Sequence, residues 1–133
     1  MIVVDTNVVA YLLLPGPQTS AAEALLEAEP TWCAPPLWRS EWRNVLNGYQ
    51  RRGTVSLDQA IALQHHAELL VITHEEPVHS EDVLRLAASS GCSAYDCEFV
   101  AAAQQLGVRL ITADQALLTA FPDRAQPLPT TQA

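Results

Sequence analysis

The spacing of apolar residues changes several times along the chain, and each change marks an element. Ile2-Val3-Val4 is an unbroken β-branched run, the form of a strand buried on both faces in a parallel sheet. Asp5-Thr6-Asn7 offers helix-capping side chains, Val8 to Leu14 is the helix they open, and Pro15-Gly16-Pro17 stops it. Ser20 to Glu29 gathers Ala21, Ala24, Leu25 and Ala28 on one side, predicting a second helix that ends at Pro30. Thr31 to Ala34 reads as a short strand closed by Pro35-Pro36. From Leu37 to Arg52 the helical period returns through Trp38, Trp42, Val45 and Tyr49, with Gly53 placed as a C-terminal cap. Ser56 to Thr73 predicts a further helix, and His74 to Val78 suits either a loop or a short strand. Helices over Ser80 to Ser90 and Ser93 to Leu106 stop at Gly91 and Gly107. Val108 to Thr112 then reads as a strand and Asp114 to Phe121 as a short helix. Beyond Pro122 the chain is polar and proline-rich, the composition of a loosely held tail.

Strands near both ends with helices between them predict an α/β fold around a small parallel sheet. The length, 133 residues, suits one domain, taken as 1–124 with a flexible tail over 125–133. In such sheets functional groups collect at the carboxyl ends of the strands, where Asp5 and Asp114 both lie. A net charge of -8 argues against coating nucleic acid through bulk electrostatics, so any such contact must be local. All seven basic residues are arginine, which excludes P-loop and Schiff-base chemistry, both of which need a lysine. Cys33, Cys92 and Cys97 lack a CxxC spacing and read as reduced cysteines of a cytoplasmic protein. The apolar N-terminal stretch is broken by Asp5, Thr6 and Asn7, against a signal peptide or membrane span.

Four acids stand at the edges of apolar segments: Asp5, Glu41, Asp96 and Asp114. Each has a local explanation. Asp5 and Asp114 can cap helices, Asp96 follows Ser93 at capping-box spacing, and Glu41 can be a solvated side chain. Jointly they are harder to dismiss, because carboxylates gathered at one sheet edge repel one another unless a divalent cation neutralises them. No clustered His/Cys set points to zinc, so the expected ion is Mg²⁺ or Mn²⁺.

At these residues the chain resembles the PIN-domain family, especially its VapC-like branch of small toxins from toxin–antitoxin pairs. The matching stretches are Val3-Val4-Asp5-Thr6-Asn7, Ser40 to Leu46, Ser93-Ala94-Tyr95-Asp96 and Leu110 to Asp114, in the family's order across nearly the whole chain. The Trp38 and Trp42 pair and the absence of lysine depart from the pattern, and bear on substrate and partner more than on the acids. The resemblance implies a three-layer α/β/α sandwich and an acidic pocket of Asp5, Glu41, Asp96 and Asp114. Asp5 and Asp96 would be the main metal ligands. Glu41 and Asp114 would bind a second ion, bridge through water or orient the nucleophile, and Asn7 and Thr112 would support by hydrogen bonding. It further implies Mg²⁺- or Mn²⁺-dependent hydrolysis of RNA and a cognate antitoxin. A homodimer is also expected, with a partner groove along the early helices near Tyr11 and Leu14.

Other residues have competing readings. Arg39 and Arg43 can be phosphate contacts or a solvated helix face, while Arg51 and Arg52 suit the helix C-terminus. Trp32, Trp38 and Trp42 could stack bases, although core or interface is the commoner role. His65, His66, His74 and His79 have no metal-ligand spacing, and Glu98, two along the helix from Asp96, should face away from it. The rival to a nuclease is a non-catalytic PIN-like nucleic-acid or partner-binding module, against which the intact acidic set counts. Receiver-type and haloacid-dehalogenase-type phosphate chemistry is disfavoured by the missing lysine, and the latter also by the Asp-Thr-Asn sequence after Val4.

Overall fold

In the computed structural model, which describes residues 1–130, the elements run β1 (Ile2–Val4), α1 (Thr6–Leu13), α2 (Thr19–Ala28), β2 (Trp32–Ala34) and α3 (Trp38–Arg51). Then come α4 (Leu57–His66), β3 (Ile72–Glu75), α5 (Ser80–Ser90), α6 (Ala94–Leu106), β4 (Leu110–Ile111), α7 (Gln115–Ala120) and β5 (Ala125–Gln126). The strands form one sheet in the order β3-β2-β1-β4-β5, and every pairing is parallel. Helices cover it as the outer layers of an α/β/α sandwich, with α6 against β1 and β4, α5 on α6, and α1 packed between α2 and α3.

The run Ile2-Val3-Val4 is central for the reason its composition suggests: all three residues are almost wholly buried between the layers. Ala101, Ala102 and Ala103 let α6 approach closely, and all three are buried. The tryptophans resolve to core. Trp32, Trp38 and Trp42 are 0%, 1% and 0% exposed, so none can stack a base. The indole N–H of Trp38 donates to Glu75 Oε2 at 2.7 Å and that of Trp42 to the Leu63 carbonyl at 3.3 Å.

Two expectations about the chain's course are corrected. The helix from Ser56 ends at His66, one π-helical turn follows over Ala67–Val71, and Ile72–Glu75 is a strand. The β-branched sequence Val71-Ile72-Thr73 suits a strand, and pairing with β2 buries Ile72 beside Trp32. The π turn keeps Ala67 and Val71 inside while Leu69 and Leu70 stay 76% and 66% exposed. At the other end, Ala125–Gln126, expected within the tail, pairs with the open edge of β4 and buries Ala125. Residues 131–133 of that expected tail lie outside the described residues. Among the described residues, no helix is long and apolar enough to cross a membrane.

Candidate active site

Parallel pairing of β1 with β4 aligns Val4 with Ile111, and the next residues on the two strands, Asp5 and Thr112, meet. The Thr112 hydroxyl donates to Asp5 Oδ2 at 2.7 Å, the Thr6 amide to Asp5 Oδ1 at 2.8 Å, and the Asn7 side-chain amide to Oδ2 at 3.4 Å. Asp5 is buried, and burial raises its proton affinity. The bonds from Thr112 and Thr6 oppose that rise, while the charges of Asp96 and Asp114 add to it.

Glu41 lies in the first turn of α3 and accepts the Thr6 hydroxyl at 2.7 Å on Oε1. Its proton affinity is raised too, chiefly by burial; the Thr6 bond opposes this, and the charges of Asp5, Asp96 and Glu98 reinforce it. Asp96 is the third residue of α6, and its amide donates to the capping hydroxyl of Ser93 at 3.0 Å. Its carboxyl is pushed up by burial first and by the Asp114 charge second. Asp114 caps α7 by accepting the amides of Ala116 and Leu117 at 2.8 and 3.4 Å, and its own amide donates to Thr112 Oγ1 at 3.0 Å. Asn7 Oδ1 accepts the Ala113 amide at 3.2 Å, tying the start of α1 to the β4–α7 turn.

The capping and pocket readings of the acids therefore describe the same residues. Asp5, Asp96 and Asp114 sit at the starts of α1, α6 and α7, and with Glu41 they line one cavity of about 310 Å³ together with Thr6, Asn7, Asn44 and Val45. Thr6 was legible only as a cap, yet it supplies both the amide that holds Asp5 and the hydroxyl that holds Glu41. Asn44 stands three residues after Glu41, which puts it on the same face of α3. Glu98 does not line this cavity, but its charge reaches Glu41 on the neighbouring helix, so facing away from Asp96 does not remove it from the surroundings of the acids.

The structure corrects the reading of Arg39 as a free phosphate contact. Its Nε and Nη2 donate to Glu75 at 2.7 and 3.1 Å and its Nη1 to Glu68, so the guanidinium is already held. Arg43 is exposed and lines a different groove, between α3 and α4, with Leu46, Ile61 and Gln64 among its walls. His74 bonds Glu76 at 2.9 Å, apart from the acids.

Among the described residues, none of the four carboxylates is in an ion pair. They are hard oxygen donors sharing a cavity with no counter-charge of their own, a set whose chemistry fits a divalent cation of the Mg²⁺ or Mn²⁺ type. As they stand, no group of three or more His, Cys, Asp or Glu side chains among the described residues is set closely enough to hold an ion.

The whole chain, and not only the pocket, has relatives. A PIN-domain family model matches residues 2–121. Ribonuclease VapC3 of Pyrobaculum aerophilum is 30% identical over 131 residues, which cover 95% of this chain and 98% of that protein. Among solved structures, PAE2754 of Pyrobaculum aerophilum superposes with a TM-score of 0.78 at 20% identity, over 96% of this chain and 88% of the other. FitAcB of Neisseria gonorrhoeae superposes with a TM-score of 0.68 at 18% identity, over 94% of this chain and 96% of the other, so both share the fold. With the family match running from β1 through α7 and a relative of equal extent at 30% identity, the chain belongs to the PIN-domain family, in its VapC-like branch.

Proposed function

We propose that this protein is a metal-dependent endoribonuclease that hydrolyses RNA phosphodiesters, acting as the toxin of a toxin–antitoxin pair. The observation that carries the reading is the cavity where Asp5, Glu41, Asp96 and Asp114 meet without a cation of their own. The relative named Ribonuclease VapC3 supports the choice of RNA as substrate.

Asp5 and Asp96 would hold Mg²⁺ or Mn²⁺, with Glu41 and Asp114 completing or bridging the set. Bound there, the ion supplies a water of lowered pKa and offsets charge on the phosphoryl oxygens. The rest is the work of the chain's own residues. Thr112, Thr6 and Asn7 fix both oxygens of Asp5, so its orientation is set before anything binds. Thr6 fixes Glu41 through Oε1, leaving Oε2 to orient or deprotonate an attacking water. The amides at the start of α7 hold one oxygen of Asp114 and leave the other for the cavity. Arg43, exposed on α3 and lining the α3–α4 groove, would meet an RNA phosphate only where the strand runs beyond the acidic cavity.

Incubating the purified protein with a labelled RNA pool and Mg²⁺ or Mn²⁺ tests the reading. Cleavage that stops in excess chelator is expected, and no cleavage with either ion would overturn it. For the partners, we propose a homodimer whose antitoxin sits along the early helices. A cavity of about 240 Å³ there is lined by Ala10, Tyr11, Leu14 and Tyr49, among others. A stable monomer by light scattering at working concentration would count against the dimer.

A further inference from the structure

The turn that opens α6 holds two cysteines in a particular relation. Ser93 is the N-cap, so Cys92 precedes the cap and Cys97 is the fourth residue of the helix. Side chains at these two positions commonly pack together and fix the angle at which the chain enters a helix. Here both are thiols. Cys97 is fully buried in a small cluster with Val83 and Ala101, and the partly exposed Cys92 packs against the same cluster. Ser90 links them: its hydroxyl oxygen accepts the Cys92 amide at 3.0 Å and lies 3.8 Å from Cys97 Sγ. Cys92 Sγ in turn donates to the Ala116 carbonyl at 3.8 Å, in the first turn of α7. The pair therefore joins the starts of the two helices that carry Asp96 and Asp114.

We propose that Cys92 and Cys97 form a two-thiol oxidation site, closed into a disulfide by hydrogen peroxide, and that closure displaces Asp96 relative to Asp114 and turns the pocket off. The regulatory half rests on the nuclease reading; disulfide formation does not.

Exposure sets the order of events. Cys92, the accessible thiol, attacks the peroxide as its thiolate; the O–O bond breaks, the sulfur becomes a sulfenic acid, and the departing hydroxide takes up the thiol proton as water. Cys97 then attacks that sulfur, the S–O bond breaks, and the second hydroxide leaves as water with the Cys97 proton. Two thiols have given two electrons, and one hydrogen peroxide has become two waters. A disulfide holds its sulfurs at about 2.05 Å, so the Cys92 side chain must turn away from Ala116 toward Cys97. That removes the contact between the entry of α6 and the first turn of α7.

The test treats the intact protein with hydrogen peroxide, alkylates remaining thiols after denaturation, and maps the cysteines by mass spectrometry. The expected product is a peptide linked through Cys92 and Cys97, with Cys33, buried in β2, still alkylated. Cleavage of RNA should fall about tenfold or more in step with the linkage and return with dithiothreitol, as a shift of an ångström or less at a catalytic group would cause. Cys92→Ser and Cys97→Ala should cleave normally and ignore peroxide. No linked peptide while the fold persists, a linkage through Cys33, full cleavage by the linked protein, or a Cys92→Ser variant as peroxide-sensitive as wild type would each overturn the proposal. If the reduced protein cleaves nothing, that failure belongs to the nuclease reading, and the peptide map still decides whether the thiol pair closes.

Discussion

Acidic side chains gather at two places along the same carboxyl edge of the parallel sheet, and they are treated oppositely. At the end of β3, Glu75 accepts from Arg39 Nε and Nη2 and from Trp38 Nε1, while Glu68 accepts from Arg39 and Gln64. There the Arg39 bond, ahead of any other influence, holds the Glu75 carboxyl below the usual carboxylate range. Around the ends of β1 and β4, Asp5, Glu41 and Asp96 are all held above it, chiefly by burial, with the charges of neighbouring acids adding to the rise. The difference lies in the missing counter-charge more than in the number of acids. One site is complete within the chain; the other fixes both oxygens of Asp5 by hydrogen bonds yet leaves its acids without a counter-charge, the arrangement on which the proposed cation site rests.

The comparison breaks most directly at Asp96. Asp96→Asn should reduce RNA cleavage to background while leaving the fold intact, because it removes a proposed metal ligand and at the same time relieves repulsion with Asp114. Its melting temperature without metal should equal or exceed that of wild type. Equal cleavage by the two proteins would remove the pocket from the mechanism. Next in size is the effect of the ion itself. Mg²⁺ or Mn²⁺ at tenfold above its dissociation constant should stabilise the wild type by about 1.4 kcal/mol, roughly 5 °C in the melting temperature. Differential scanning fluorimetry should show no such shift for Asp96→Asn, and an equal shift in both would place the ion elsewhere.

How these two regions looked in the sequence explains what could be read there. The pocket was legible because its acids directly follow β-branched strands or open helices, and strand order then brings Asp5 against Thr112 although 107 positions separate them. The Arg39 cluster was not, because its bonds span 36 and 29 positions to Glu75 and Glu68 and depend on β3 being a strand. That strand was hidden because Ala67 and Val71 continue the helical spacing of α4 through a π turn. The two-residue β5 has no β-forming residue at all; it is held by tertiary pairing, the Leu110 and Thr112 amides of the β4 edge donating to the Arg124 and Gln126 carbonyls. The influence of Glu98 on Glu41 escaped for a related reason, since a helical wheel describes neighbours on one helix and Glu41 lies on another.

A smaller effect separates the regions from the other side. Arg39→Met should cost about 1 kcal/mol, a discounted figure because the guanidinium is 36% exposed and its pairs are partly screened by solvent. Urea denaturation should show the loss, and cleavage should stay unchanged because Arg39 is held by Glu75 and Glu68 and does not line the acidic cavity. A raised KM for RNA with an undiminished denaturation midpoint would return Arg39 to the substrate.

The smallest effect is one of sign, and it tests the contrast without any assay of cleavage. Asp5, Glu41 and Asp96 bind protons more tightly folded than unfolded, so metal-free stability from these groups is greatest below the unfolded carboxylate range, about pH 4, and declines as pH rises through their raised folded values. Glu75 behaves in reverse: its contribution is present above the unfolded value and disappears as pH falls through its lowered folded one. Asp96→Asn should therefore flatten the decline in stability above about pH 4, while Arg39→Met should leave that decline alone and soften the loss below about pH 4. Saturating Mg²⁺ should reproduce the flattening in wild type, because an ion that binds the charged carboxylates lowers their folded proton affinity. If both variants kept the wild-type profile across the whole range, the two groups of acids would be electrostatically alike, and the case for a cation-seeking pocket would lose its physical basis.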